Sequence, residues 1–494
     1  MKVTKLILSG IALAMSQIAM AGGILTNTNQ SISFLRNPAR DGAIGIDGVY
    51  SNPAGVAFLN DGFHLSLNWQ AAFQTREITS TNQALYPLNL NDPSSTKFFK
   101  GKATAPVIPS VQAAYNTGKW SLQFNFAVHG GGGKCEFGDG IGTFDEALGG
   151  IAHKIGANGY TANSYMQGKQ YYFGVTLGAA YKVTDNLSVY GGLRALYGSA
   201  SYKATIKNIM INAEVQPGVN MNVPFDQYLA SSIQKCNEGI SALPGVIAKL
   251  EAAGVDATEY KMQLAKAQAS LPQLQALEKY SAGVNLQSDQ TGFGIAPIIG
   301  VDYKIGNFNF AAKYEFRTRM SMKNESTLTE AGILEPLKKF EDDRSIREDN
   351  PASLSFGAQW SVLPNVRVNA GYHHFYDKQS KKYGDEQDKL SGGTNEYLGG
   401  IEWDPAQKLT VSGGFQITKY GLTDSFMNDM SFVVDSWSFG LGAAYQVSDK
   451  VKVQLAYFQT NYEDYKTSTP NANGSLNNYT RTNRVLGLGV DLTF

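Results

Sequence analysis

The chain has 494 residues, 17% of them charged and 11% aromatic, with 52 Gly, 26 Tyr and 25 Phe. Soluble proteins carry about 25% charged residues, so charge is scarce, yet a mean hydropathy of −0.23 excludes a helical membrane protein. Without a leader carrying Lys2 and Lys5, 40 basic side chains face 42 acidic ones, a net charge of −2 that argues against a nucleic-acid partner.

Lys2 and Lys5 precede an apolar run from Leu6 to Met15 and then Ala19-Met20-Ala21. A basic head, a short apolar centre and small residues at a cut site predict a secretory signal peptide over 1–21. Residues 22–61 are rich in Gly, Asn and Ser and contain Asn37-Pro38-Ala39 and Asn52-Pro53-Ala54-Gly55. Such irregular backbone survives at membrane depth only when buried inside protein, so it reads as a plug.

From Phe63 the period becomes two. Phe63, Leu65, Leu67, Trp69, Ala71 and Phe73 alternate with His64, Ser66, Asn68, Gln70, Ala72 and Gln74. A second strand runs from Pro109 to Tyr115 and a third from Trp120 to Val128, ending in the glycine run Gly130 to Gly133, which is expected to bend the wall. Strands four (Phe173 to Tyr181) and five (Leu187 to Tyr197) follow. From Pro224 to about Ser281 the spacing turns helical, with Asp256 and Glu259 spaced as a capping box. Residues 209–288 are thus predicted to form a helical loop. Strands six (Phe293 to Tyr303) and seven (Phe308 to Phe316) precede a charged loop at 322–350. Strands eight to thirteen turn at Pro364-Asn365, Asp404-Pro405 and Ser448-Asp449, and the last, Leu486 to Phe494, makes fourteen.

Short turns alternate with long loops, and Tyr181, Tyr303, Trp360, Trp403 and Tyr445 fall beside the short turns, where an interfacial girdle sits. The terminal strand puts Leu486, Leu488, Val490 and Leu492 on one face and Gly487, Gly489, Asp491 and Thr493 on the other. The expected fold is an all-β membrane protein, a fourteen-stranded antiparallel transmembrane β-barrel over 62–494 with an N-terminal plug and helical extracellular loops.

The stretch from Asp41-Gly42-Ala43-Ile44 to Ser51-Asn52-Pro53-Ala54-Gly55, with the strand count and the placing of the two largest loops, resembles the FadL family of outer-membrane long-chain fatty-acid transporters, which includes channels for aromatic hydrocarbons. The resemblance implies a Gram-negative outer-membrane location, a hatch carrying Asn52, Pro53, Ala54 and Gly55, and an apolar groove in the loops after strands five and seven. It also implies a lateral gap at a kink in strand three, matched here by Gly130 and Gly131. The family's basic carboxylate contact on strand five has no Arg counterpart in Tyr197-Gly198-Ser199-Ala200-Ser201-Tyr202-Lys203. The earlier copy, Arg36-Asn37-Pro38-Ala39, reads as incidental.

Candidate groove residues are Val246, Ile247, Leu250, Leu264 and Leu271, which either meet ligand or pack helix on helix. Charges facing lipid cost about 2–4 kcal/mol at the midplane, so Arg194 on strand five and Lys313, Glu315, Arg317 and Arg319 on strand seven are predicted to face inward. Arg194, Lys313 and Arg317 are then candidates for a ligand head group, or members of a salt-bridge ladder that pins the plug. Cys135 and Cys236, in an exported chain, pair as a disulfide or remain free thiols. No His spacing suggests a metal, cofactor or catalytic triad, so an enzyme is not expected. Expected partners are a hydrophobic small molecule, outer-membrane lipids and the outer-membrane assembly machinery, with the chain a monomer. Alternatives are an adhesion or surface-binding protein anchored by its barrel, an open porin, and an outer-membrane lipase.

Overall fold

The computed structural model describes residues 22–216, 218–328, 339–429 and 432–494. The predicted signal peptide, and Lys338 of the charged loop, lie outside them. Eighteen hydrogen-bonded strands form one sheet. Four are short pieces outside the wall: Val219–Pro224, Ser321–Leu328, Ser345–Arg347 and Tyr465–Lys466. The other fourteen build a closed antiparallel barrel. They are β1 (Gly62–Thr81), β2 (Thr96–Thr117), β3 (Trp120–Phe137), β4 (Gly159–Lys182), β5 (Leu187–Gln216), β6 (Val284–Ile305), β7 (Phe308–Glu315), β8 (Ser353–Leu363), β9 (Val366–Phe375), β10 (Thr394–Ala406), β11 (Leu409–Lys419), β12 (Ser436–Ser448), β13 (Val451–Tyr462) and β14 (Leu476–Thr493).

Closure is made by β14 on β1, paired from His64↔Thr493 to Thr81↔Leu476. That pairing removes both sheet edges, which no bilayer tolerates. The period-two pattern decides which face is which. Phe63, Leu67, Trp69 and Phe73 are exposed on the outside, while His64, Ser66, Asn68, Gln70 and Gln74 are buried inside. Trp360, Trp403, Tyr303 and Tyr445 lie outward beside the short turns, forming the predicted girdle.

The plug fills the lumen with helices α1 (Ile32–Arg36) and α2 (Gly48–Ser51) and a 3₁₀ turn at Gly55–Phe58. Ser31 caps α1 by accepting from Phe34 N. The small inward residues of β14 make room for it: a Cβ on Gly487 would lie 2.6 Å from the Ile32 and Leu35 side chains. Outside the wall are α3 (Gly142–Lys154), α4 (Phe225–Ala252) and α5 (Thr258–Glu278), the last two forming the helical hairpin.

Several boundaries differ from the sequence pattern. β5 continues to Gln216 and β6 begins at Val284, so both ends of the span 209–288 are strand. Ser321–Leu328, inside the predicted loop at 322–350, is strand paired to β6. β10 runs through Asp404-Pro405 to Ala406 with a register shift, because Pro405 has no N–H and falls in a bulge rather than a turn. At α5 the cap is one-sided: Asp256 accepts from Thr258 N at 2.8 Å, while Glu259 faces Gln263 instead.

Candidate functional site

The plug is held to the wall by its polar motif residues. Asn52 Nδ2 donates to Asp302 on β6 at 2.6 Å and to Ala43 O at 3.2 Å, and Asn52 Oδ1 accepts from Gly55 N. The Pro53 and Ala54 carbonyls accept from Gln123 on β3 and Ser188 on β5, each at 2.7 Å. The first Asn-Pro-Ala copy is an anchor too, not incidental. A Cβ on Gly400 would run into the Asn37 side chain, and one on Gly414 would lie 2.7 Å from Pro38. Buried charge completes the attachment: Arg40 pairs with Asp47 at 2.8 Å and Glu402 at 3.0 Å, and His373 sits between Asp41 and Glu396 at 2.9 and 2.8 Å.

The seam between the second and third strands opens where the glycines begin, while β3 stays paired to β4. The β2–β3 ladder stops at Thr104↔Lys134 and resumes at Ser110↔Ala127, leaving residues 105–109 and 128–133 unpaired to one another across this seam. At about 3.3 Å per residue the interruption is roughly 16 Å long. Gly131 has φ +68°, open to glycine and strained for other residues. The facing stretch of β2 carries Pro106 and Pro109, which lack the N–H groups a ladder needs. Two prolines three residues apart inside a strand were the sequence signal for this half of the gap.

An arm of the plug lies directly behind the interruption. Asn27 N donates to His129 O at 2.7 Å, and Asn27 Nδ2 donates to Gly131 O at 2.7 Å and Val128 O at 3.3 Å. Gln30 O accepts from Ser110 Oγ at 2.6 Å and Gln112 Nε2 at 2.9 Å. A Cβ on Gly130 would run into Leu25 O. The arm therefore seals from inside what the wall leaves unpaired.

The predicted head-group cations divide. Arg194 and Lys313 face inward and share one carboxylate, Glu315, at 2.5 and 2.8 Å, and Lys313 also donates to Tyr50 O of α2 at 2.6 Å. Lys313 thus ties plug to wall, and Arg194 ties β5 to β7. Arg317 and Arg319 do not continue that inward row, because β7 ends at Glu315 and the phase slips, burying Thr318 and Met320. Arg317 instead donates to Gln379 O at 2.6 Å and lies 3.6 Å from Asp349 among the outer loops.

Another pair of cations lies higher in the lumen. Arg76 and Arg481 are directly opposite one another on β1 and β14, both inward and buried. Arg76 has no ion pair among the described residues, and its Nε and Nη2 lack hydrogen-bond partners. Its guanidinium lies 5.6 Å from the Phe432 ring, and that of Arg481 lies 4.9 Å from Tyr462. Ile78, Phe99, Cys135, Phe137 and Tyr479 belong to the same apolar cluster. Cationic donors set among rings suit a molecule with one anionic end and an apolar body. Carrying the inward alternation of β1 one step past Gln74 reaches Arg76, but only barrel closure sets it against Arg481.

On the hairpin, Ile247 is buried, Leu250, Leu264 and Leu271 are half-buried, and Val246 is exposed. A groove of about 760 Å³ opens between α4, α5 and Lys154–Gly156, but Tyr228, Ala267, Leu274 and Leu277 supply its apolar lining rather than those five. Cys236 lines this groove, Cys135 is buried on β3, and both are free, so the disulfide is not formed. Among the described residues no group of His, Cys, Asp and Glu is arranged to hold a metal.

No protein-family profile and no curated protein matches the chain. Solved structures do. A FadL homologue of Pseudomonas aeruginosa is 14% identical and superimposes with a TM-score of 0.62 over 96% of this chain and 100% of its own. The toluene transporter TodX of P. putida is 12% identical, with a TM-score of 0.52 over 91% of this chain and 94% of its own. The closed fourteen-stranded antiparallel wall is thus the FadL-type fold.

Proposed function

We propose that this chain carries hydrophobic small molecules passively across the outer membrane, and that its preferred ligand is an amphiphile with an anionic head. Capture occurs at the outer loops, where the groove beside α4 and α5 offers apolar surface. Each buried CH₂ contributes about 0.8 kcal/mol, so a chain of a dozen methylenes is drawn from dilute solution. The ligand then enters the upper lumen, its head taken by Arg76 and Arg481 and its body by the surrounding rings. Movement of the Asn27 arm uncovers the β2–β3 interruption, through which the ligand leaves sideways into the bilayer and never crosses a water-filled channel.

The observation that carries this reading is the coincidence at one height of three features: prolines on β2, glycines on β3 and the plug arm behind them. The test restores the ladder. Replacing Pro106 and Pro109 by Thr returns two N–H donors, and at about 1 kcal/mol per hydrogen bond the closed wall should be favoured by roughly thirtyfold. Uptake of labelled laurate by cells should fall by that order, while the protein still shows the heat-dependent gel mobility of a folded barrel. Uptake at the unaltered rate would rule out lateral release.

A further inference from the structure

Above the apolar belt, the outer face of β2 to β5 carries a run of lysines. Lys100 and Lys102 lie on β2, Lys134 on β3, Lys169 on β4 and Lys203 and Lys207 on β5, all exposed. The register brings them together. Lys134 is directly opposite Lys169, Lys102 is opposite Glu136, and Lys203 is opposite Gln167. Like charges directly opposed on one face of a sheet repel, so the fold gains nothing from setting Lys134 beside Lys169.

Counter-charge on this face is incomplete. Glu77 answers Lys100 at 2.6 Å and Glu136 answers Lys134 at 2.7 Å. Among the described residues Lys102, Lys169 and Lys203 have no carboxylate partner, and Lys169 reaches only the ring of Tyr171 at 5.5 Å. Across the barrel the rim lysine Lys419 is held by Asp435 at 3.2 Å and Glu463 at 2.9 Å. Counter-charge is thus complete at Lys419 and incomplete on β2 to β5.

Height identifies what meets it. Tyr171, Phe173, Val175 and Leu177 on β4 and Leu193 and Tyr197 on β5 form the outward apolar surface below. Lys169 is the next outward position above Tyr171. Lys134 lies fourteen residues above Trp120 along β3, or about 35 Å in a strand tilted near 40°, against an apolar band of about 25 Å. That places the cluster in the headgroup layer of the outer leaflet, at the upper edge of the β2–β3 interruption.

We propose that Lys102, Lys134, Lys169 and Lys203 form a binding site for the phosphates of lipopolysaccharide, the phosphorylated glycolipid of the outer leaflet. A phosphate seated between opposed ammonium groups accepts charge-assisted hydrogen bonds from both and cancels their repulsion. The glycolipid's acyl chains then lie along Tyr171, Phe173 and Tyr197. Its position beside the gap fixes lipid where the wall is least paired.

The test compares the unaltered protein with a K102Q/K134Q/K169Q/K203Q variant and with the corresponding quadruple Arg variant, each extracted from outer membranes in mild detergent. Lipopolysaccharide retained after gel filtration is counted by mass spectrometry of its hydroxylated acyl chains. The Gln variant should retain at least about tenfold less, and the Arg variant as much as the unaltered protein. Equal retention by the Gln variant, or equal loss by both variants, would overturn the site. Independently of any variant, the unaltered protein in nanodiscs should bind lipid A and not dephosphorylated lipid A. Equal binding of both, or displacement of lipid A by phosphatidylglycerol at equal concentration, would overturn the assignment to the glycolipid's phosphates.

Discussion

Asn27→Ala cuts the latch between plug and wall with little change in volume. The side chain donates to Gly131 O at 2.7 Å and to Val128 O at 3.3 Å, both on the interrupted side of β3. The backbone bond from Asn27 N to His129 O is kept. Two hydrogen bonds of about 0.5–1.5 kcal/mol each are removed. The arm over residues 24–30 should therefore open more readily by about 1–3 kcal/mol, a factor of five to one hundred and fifty at about 1.4 kcal/mol per decade. Hydrogen–deuterium exchange with peptide resolution reads this directly. Protection of residues 24–30 should fall by that factor, while protection around Asn52 stays unchanged, because its bonds go to Asp302 on β6 and to Ala43 within the plug, away from β3. Laurate uptake should rise in the same variant. Unchanged protection of the arm would refute its role as a latch, and faster exchange with unchanged uptake would separate the latch from transport.

Other outcomes follow from the same geometry. Arg76→Gln should weaken retention of laurate by about tenfold or more, the worth of a hydrogen bond to a charged group, and leave uptake of neutral toluene unchanged; equal loss of both ligands would remove Arg76 from the head-group role. Arg40→Ala strands Asp47 as a buried carboxylate and leaves Glu402 with Arg367 at 3.4 Å and Arg36 at 3.9 Å; breaking a buried pair costs about 3–5 kcal/mol, so the plug should become protease-sensitive while the barrel stays closed. Beside α3, whose Thr143 N donates to Asp429 at 2.9 Å, burial and then the charge of Asp429 raise the Glu146 carboxyl, and burial raises that of Asp429. A carboxyl raised on folding costs stability as pH climbs from its unfolded value, near 4, through its folded one. Exchange protection of α3, corrected for intrinsic rates, should accordingly be higher at pH 4.5 than at pH 7.5, and a flat profile would contradict the burial.

The wall was legible because a barrel strand has one rule, and each of the fourteen strands is found where its alternation placed it. Departures arise where local pattern meets closure or backbone breakage. Alternation carried Arg317 and Arg319 inward, but β7 stops at Glu315 and the phase is lost. The glycine half of the gap was visible in Gly130 to Gly133. The proline half, Pro106 and Pro109, carried a signal too, but Pro109 reads equally well as the first residue of a strand. Arg76 against Arg481 depends on the register of the first strand with the last, which no local pattern encodes. Asn37 looked incidental because its contacts, at Gly400 and Gly414, are far away in sequence.

Photolabelling with a diazirine-bearing fatty acid, mapped by peptide mass spectrometry in intact outer membranes, tests the central claim most directly. Labels should fall on the upper lumen near Phe432 and Tyr479 and along the gap at Val107, Ile108 and Val128, and the gap labels should vanish when Pro106 and Pro109 are replaced by Thr. Labels confined to the α4–α5 hairpin, with none inside the wall, would make this a surface binder anchored by its barrel and would contradict passage through it.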